Sequence, residues 1–134
     1  MFEQRALIDA HVDRWIAALP NGPLYAPMAY LMRLSAKRVR PVLTLMSCEL
    51  FGGHAEDALE EALGIELFHN FTLMHDDIMD ASSLRRGEPT VHVKWDVNTA
   101  ILSGDAMLVK AYQQMGADPR VLVIFSRYAL DVCE

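Results

Sequence analysis

Apolar residues recur at three- and four-residue steps along nearly the whole chain, which is the pattern of amphipathic α-helices. The longest such segment extends from about Glu56 to Asp80. Its apolar stripe consists of Leu59, Leu63, Leu67, Asn70, Met74 and Ile78. Gly and Pro are sparse, with 7 and 6 copies among 134 residues, which disfavours a loop-rich or all-β chain. We therefore predict an all-α fold.

The same periodicity, together with turn residues, predicts further helices on both sides of this segment. They cover residues 2–19, 27–34, 41–51, 98–115 and a last segment from Pro119. Asn98 or Thr99 would cap the helix over 98–115. The last segment contains a β-branched run, 121–125, that would suit a strand, but its all-helical context favours a helix. A loop over 82–90 would follow the longest helix.

The charge and the cysteine content limit the class of protein. The net charge of −6 argues against a nucleic-acid partner. Cys48 and Cys133 stand far apart without a CxxC spacing, which fits reduced thiols in the cytoplasm. The first residues form an amphipathic pattern and not a signal peptide. No apolar run reaches about 18 residues without a charge, so we expect no transmembrane helix.

Three aspartates, Asp76, Asp77 and Asp80, stand together at the expected C-terminal end of the longest helix. Like charges that share a helix face destabilise the helix by about 0.2–0.5 kcal/mol per pair. The helix dipole also disfavours anions at this end. A bound cation would offset both costs, and ligand sets made only of carboxylates select hard cations such as Mg²⁺. A solvated acidic helix end is the alternative interpretation.

Two arginines and a histidine lie near this cluster in the sequence. Arg85 and Arg86 precede Gly87 in the expected loop, where guanidinium groups can each bind two oxygens of a diphosphate. His69 lies seven residues before Asp76, two turns away on the same helix face. A polar contact between His69 and a bound anion is therefore expected, although a lone histidine on a helix is more often a packed residue.

A second basic cluster, formed by Lys37, Arg38 and Arg40, precedes the helix expected over 41–51. Helix N-termini favour anions, so this cluster also suits phosphate. A solvated basic loop is the alternative. One acidic and two basic clusters together are less expected by chance than any one of them alone.

These clusters resemble the motifs of the trans-isoprenyl diphosphate synthases, the polyprenyl synthetase family. The segments Glu66–Asp80 and Arg85–His92 resemble the family's first aspartate-rich region. Lys37–Pro41 resembles its basic isopentenyl-binding motif, and Ala100–Ala106 resembles the segment that follows. The motifs keep the family's order over about 25–112. The resemblance implies an antiparallel helical bundle of the isoprenoid synthase type, and a homodimer.

The activity that this resemblance implies is a prenyl transfer. An allylic diphosphate condenses with isopentenyl diphosphate, with Mg²⁺ as cofactor and pyrophosphate as the leaving group. Asp76 and Asp80 would ligate the metal at the catalytic centre, with Asp77 supporting them. Arg85 would contact the allylic diphosphate. The residues implied for isopentenyl diphosphate are Lys37, Arg40, His69 and Arg86.

Two departures from the family pattern affect these expectations. Ser35 and Ala36 stand where the family usually has glycines, which puts in doubt a close approach of this backbone to phosphate. The family also has a second aspartate-rich motif in its C-terminal half, and nothing after Asp105 supplies it. Residues 1–134 are therefore expected to be the N-terminal part of a polyprenyl synthetase domain, truncated and inactive alone.

Two further hypotheses concern the product and the class of protein. Phe71, five residues before Asp76, would block a growing prenyl chain and favour farnesyl or geranylgeranyl diphosphate, unless it is simply a core residue. Alternatives to the prenyltransferase are a non-catalytic helical fragment that binds diphosphates or a partner, and an HD-type metal phosphohydrolase that uses His69, His75 and Asp76.

Overall fold

The chain folds into seven α-helices, one 3₁₀ turn and a two-stranded hairpin, and the computed structural model describes residues 1–134. In chain order the elements are α1 (Phe2–Ala17), α2 (Ala26–Arg33), α3 (Val39–Leu50), the 3₁₀ turn (Ala55–Ala58), α4 (Leu59–Met79), β1 (Leu84–Arg85), β2 (Glu88–Pro89), α5 (Val91–Lys94), α6 (Val97–Met115) and α7 (Pro119–Cys133). The predicted all-α bundle is confirmed, including the helical state of the last segment. No helix combines the length and apolar content that crossing a bilayer requires.

Helix α4 is the centre of the bundle, and α6 packs against it in the antiparallel direction. Gly64 near the start of α4 faces Ala111 and Met115 near the end of α6, while His75 near the end of α4 faces Gly104. A methyl group at Gly104 would lie 2.3 Å from Nε2 of His75. The absence of a side chain at Gly104 therefore allows the two helices to approach closely.

The buried core lies around α4, as its apolar stripe predicts. Leu63, Leu67 and Met74 are almost fully buried, whereas Leu59 and Ile78 at the two ends of the stripe are partly buried. The other fully buried large side chains come from α1, α2, α3 and α6 and include Ile8, Val12, Met28, Leu31, Met32, Leu45 and Met107. The burial of this stripe fixes the rotation of α4 about its axis and therefore the positions of its polar residues.

The loop predicted over 82–90 contains a hairpin and is followed by a short helix, and neither was predicted. Leu84 pairs with Pro89 and Arg85 with Glu88, so residues 86 and 87 form a two-residue turn. Arg86 and Gly87 have φ values of 53° and 80°, as a type I′ turn requires at both central positions. The hydroxyl of Tyr30 donates to the carbonyl of Pro89 at 2.7 Å and fixes the hairpin to α2.

The cap of α6 was also predicted wrongly. Asp96, and not Asn98 or Thr99, is the N-cap residue, and its Oδ1 accepts a hydrogen bond from the backbone N–H of Thr99 at 2.7 Å. Thr99 contributes its hydroxyl, which donates to Oδ2 of Asp96 at 3.0 Å. The helix therefore begins one residue earlier than predicted.

Candidate functional site

A basic pocket of about 630 Å³ lies between the loop before α3, the middle of α4 and the hairpin. It brings together the four residues that the family resemblance implies for isopentenyl diphosphate, namely Lys37, Arg40, His69 and Arg86. Arg5, Ser35, Ala36, Arg38, Val39 and Glu66 complete its lining. Only two of the ten lining residues are hydrophobic, so the pocket suits a small, highly charged anion.

Arg38 has a structural role in this pocket. It is 7% exposed, and its Nη2 donates to the carbonyl of Met32 at 2.7 Å. Its Nη1 lies 3.3 Å from Oε2 of Glu66, and its Nε lies 3.4 Å from Oδ1 of Asp9. Three polar groups of the protein thus surround the guanidinium. Lys37 and Arg40, which are exposed on either side, remain available to a ligand.

The backbone of this loop does not need the glycines that the family usually has. The residue with positive φ is Arg38, at 54°, and neither Ser35 nor Ala36 has a positive φ. Helix α3 begins directly after Arg38. The positive φ of this loop therefore falls on Arg38 and not on Ala36, and how closely this backbone approaches a phosphate stays a prediction.

His69 is held neutral by its surroundings in the pocket. Burial is the largest cause that lowers its pKa to about 4, and the nearby guanidinium groups of Arg40, Arg86 and Arg85 contribute to the same lowering, in that order of strength. Nη1 of Arg40 lies 3.3 Å from Nε2 of His69, so this ring nitrogen accepts and Nδ1 carries the proton. An anion bound among these cations would offset their repulsion and favour the protonated ring.

Arg86 is positioned by Asn70, a polar residue within the otherwise apolar stripe of α4. Asn70 is fully buried, and its Oδ1 lies 3.5 Å from Nη1 of Arg86. Its Nδ2 donates to the carbonyl of Glu66 at 2.8 Å and to Oε1 of the same residue at 3.3 Å. Burial is the main cause that lowers the pKa of Arg86. The presence of the Asn70 amide among the apolar residues of the stripe was the one feature of the sequence that indicated a buried polar contact here.

Asp77 and Arg85 form a bidentate ion pair beside the pocket. Nε of Arg85 donates to Oδ2 of Asp77 at 2.8 Å, and Nη2 donates to Oδ1 at 2.9 Å. The carboxylate side chain is 4% exposed and the arginine side chain 26% exposed. The hydrogen bonds to Asp77 raise the pKa of Arg85. Arg85 keeps three further N–H groups that can reach a diphosphate.

The other two aspartates of the cluster are free. Asp76 lies in the last turn of α4 and Asp80 is its C-cap, and both are exposed without a hydrogen bond or ion pair to their side chains. Two carboxylates one helical turn apart offer only oxygen ligands, so the donor set fits Mg²⁺ with waters and phosphate completing the coordination. Both carboxylate oxygens of Asp77 accept hydrogen bonds from Arg85, so Asp77 is less available as a metal ligand.

The chain turns sharply after Asp80, and this turn places Arg85 against Asp77. Ala81 has a φ of 53° in a Schellman motif, in which the N–H of Ser82 donates to the carbonyl of Asp77 at 2.9 Å. Glycine is usual at this position, so Ala81 carries little indication in the sequence that the helix ends with this motif. The reversal brings β1 back along the end of α4.

His75 contacts α6 through one of its ring nitrogens. Its Nε2 lies 3.0 Å from the carbonyl of Ile101, which can only accept, so this nitrogen donates. Its ring packs edge-on against Phe71 with 5.0 Å between centroids. His69, His75 and Asp76 do not come together as a set of metal ligands, so the geometry gives the phosphohydrolase hypothesis no support.

The helical bundle, with its aspartate cluster at the end of α4 and its basic pocket, defines a class of all-α proteins. The polyprenyl synthetase model matches residues 21–134, and the chain belongs to this family. The resemblance inferred from the sequence is thereby confirmed.

Individual relatives agree with this assignment. A geranylgeranyl diphosphate synthase of Methanosarcina mazei is 38% identical over 95% of this chain and 41% of its own length. A geranylgeranyl diphosphate synthase of Saccharolobus solfataricus is 49% identical over 64% of this chain and 26% of its own length. The chain thus spans well under half the length of these relatives.

Solved structures match at the level of the fold. A crystal structure of a geranylgeranyl pyrophosphate synthase superposes with a TM-score of 0.93 at 48% identity, covering 98% of this chain and 42% of that one. A heptaprenyl diphosphate synthase from Staphylococcus aureus superposes with a TM-score of 0.87 at 31% identity, again over 98% and 42%. The isoprenoid synthase type of bundle is therefore confirmed.

Proposed function

We propose that residues 1–134 form the N-terminal part of a polyprenyl synthetase domain that condenses an allylic diphosphate with isopentenyl diphosphate. The observation that carries this proposal is the basic pocket, because Lys37, Arg40, His69 and Arg86 come from separate elements and meet at one cavity. The length of the relatives, of which this chain covers 41% and 44% in two cases, supports the view that the domain has a further part.

In this proposal the basic pocket holds the diphosphate of isopentenyl diphosphate. Arg40 and Arg86 bind phosphate oxygens through paired N–H groups, and Lys37 adds a mobile ammonium. His69, neutral before binding, donates from Nδ1 or takes up a proton when the anion arrives. Burial and the surrounding cations together lower the pKa of the ring to about 4, and a bound anion would offset the effect of those cations.

The exposed carboxylates of Asp76 and Asp80 would hold Mg²⁺ next to the allylic diphosphate. Mg²⁺, when bound, neutralises charge that develops on the diphosphate leaving group. Arg85 contributes to the same stabilisation through its remaining N–H groups, while Asp77 fixes the orientation of its guanidinium. In this proposal Asp77 supports the catalytic centre without ligating the metal, which is the role that the family resemblance implies for it.

The product and the assembly state are part of the same proposal. Phe71 is partly buried one turn and a half before Asp76, between the rings of Phe68 and His75 at 5.6 and 5.0 Å, where a bulky side chain would limit a growing chain. We therefore propose a farnesyl or geranylgeranyl product. Exposed apolar side chains along α6 support a homodimer, and the two free cysteines fit the cytoplasm.

The test is the formation of prenyl diphosphate by the full-length protein, with and without Mg²⁺. We expect Asp76→Asn to abolish turnover, because it removes a charged ligand oxygen, whereas Asp13→Asn on the exposed face of α1 should leave turnover unchanged. Retained turnover in the Asp76 variant would overturn the proposal. Binding of isopentenyl diphosphate without any product from the full-length protein would favour the non-catalytic alternative.

A further inference from the structure

Arg5 of α1 holds the backbone of the loop that carries Lys37. Its Nη2 donates to the carbonyl of Ala36 at 2.7 Å, and its Nη1 donates to the carbonyl of Lys37 at 3.0 Å. Its Nε donates to Oδ2 of Asp9, one turn further along α1, at 2.7 Å. The rigid fork of one guanidinium thus joins two successive peptide groups of the loop to a carboxylate of α1.

Asp9 connects the same helix to the other end of the loop. Its Oδ1 lies 3.4 Å from Nε of Arg38, the buried residue that follows Lys37. Helix α1 is itself held against α3, because Nε2 of Gln4 donates to the carboxylate of Glu49 at 3.0 and 3.2 Å. The loop on either side of Lys37 is therefore fixed to a helix that is part of the bundle.

This attachment compensates for a conformation that the loop sequence does not favour. Arg38 has a φ of 54°, and a left-handed conformation costs an ordinary residue roughly 1–2 kcal/mol. Residues 35–38 contain no glycine that would adopt it freely. Helix α1 also lies outside the segment that matches the family, which begins at residue 21.

We infer that Arg5 is a positioning residue for the basic pocket, holding the backbone of Lys37 in the geometry that binds diphosphate. The inference rests on the proposed function of that pocket. A loop that is ordered before the ligand arrives reduces the ordering cost of binding, so Arg5 would raise affinity through the position of Lys37 and not only through its own charge.

The charge of Arg5 offers a competing explanation, because any cation near the pocket attracts an anion. The variant Arg5→Lys separates the two. It keeps the positive charge but presents its donors on a single nitrogen, which cannot reach two carbonyls and a carboxylate in the same fork. The matched control is Arg14→Gln, which removes the same charge from the exposed end of the same helix.

The experiment is calorimetric titration of isopentenyl diphosphate into the unchanged chain and its variants, with amide hydrogen exchange of residues 35–38 in each. We expect Arg5→Gln to bind about tenfold and Arg5→Lys about threefold more weakly. Both should exchange faster over residues 35–38, while Arg14→Gln changes neither quantity. If Arg5→Gln does not fold, Asp9→Asn replaces it, and the same weakening and faster exchange are expected.

Several results would overturn the inference. Binding and exchange of Arg5→Lys equal to those of the unchanged chain would show that only the charge matters. Weaker binding of Arg5→Gln without faster exchange would exclude an effect on the loop. If Arg40→Ala abolishes binding but the Arg5 variants bind normally, this inference fails and the proposed pocket stands. If the unchanged chain does not bind, the pocket itself fails.

Discussion

Removing the guanidinium of Arg85 should destabilise the folded chain strongly, because it leaves the carboxylate of Asp77 buried without its partner. The pair is bidentate, with N···O distances of 2.8 and 2.9 Å, and the Asp77 side chain is only 4% exposed. In Arg85→Ala the carboxylate keeps its charge but loses both donors. Water can reach it poorly, so little of the lost interaction energy is recovered.

The expected size follows from this burial. Breaking a buried ion pair by removing one partner costs roughly 3–5 kcal/mol. Because the Arg85 side chain is 26% exposed, water already screens part of this pair, and we expect about 3 kcal/mol, the lower end of that range. Asp77→Asn combined with Arg85→Ala should cost less than the two single changes added together, since no buried charge then remains.

The assay is urea unfolding followed by helical circular dichroism, from which the free energy of unfolding is obtained. Arg120→Ala is the matched control, because Arg120 and Asp118 form a similar pair at 2.9 Å whose arginine side chain is 89% exposed. We expect no measurable change there. Equal destabilisation by Arg85→Ala and Arg120→Ala would refute the reasoning that burial sets the cost.

Four other predictions concern α4 and the helix α6 that packs against it. The imidazole of His69 should titrate in NMR spectra with a pKa of about 4, and a value near the usual 6.5 would show that the pocket is not as desolvated and cationic as described. Between pH 4 and pH 6.5 the imidazole of His69 binds a proton in the unfolded chain but not in the folded chain. The free energy of unfolding should therefore fall as pH decreases from 6.5 to about 4, and His69→Gln should remove this dependence. Gly104→Ala should destabilise the chain by about 1–3 kcal/mol in urea unfolding, because its methyl group would lie 2.3 Å from Nε2 of His75. An equal loss of stability when the same change is made in a His75→Ala variant would exclude this clash as the cause. Phe71→Ala in the full-length protein should lengthen the prenyl products seen by chromatography, and an unchanged product would make Phe71 a core residue only.

Sequence periodicity was sufficient to predict the helices because burial alone determines the apolar stripe of α4. Leu63, Leu67 and Met74 repeat at helical spacing and are buried together, so their pattern indicates both the helix and its inner face. The motif order likewise identified the residues that line the pocket. Neither conclusion required knowledge of how distant segments meet.

The roles of individual charged residues could not be predicted in the same way. Arg38 was expected to belong to a basic cluster that suits phosphate, but Glu66 and Asp9 surround it, and only the fold brings these residues together. The pairing of Arg85 with Asp77 depends on the reversal at Ala81, a non-glycine residue with positive φ that carries no turn signal in the sequence. Such contacts depend on tertiary structure.

The central claim is that the basic pocket binds isopentenyl diphosphate through cations of this chain alone, separately from the aspartates that would hold Mg²⁺. Calorimetric titration of isopentenyl diphosphate into the 134-residue chain without Mg²⁺ tests it most directly. We expect one ligand to bind per chain. Binding should be lost in Arg40→Ala and retained in Asp76→Asn and in Arg33→Ala, whose arginine is exposed on α2. No binding, or binding that requires Mg²⁺ and Asp76, would contradict it.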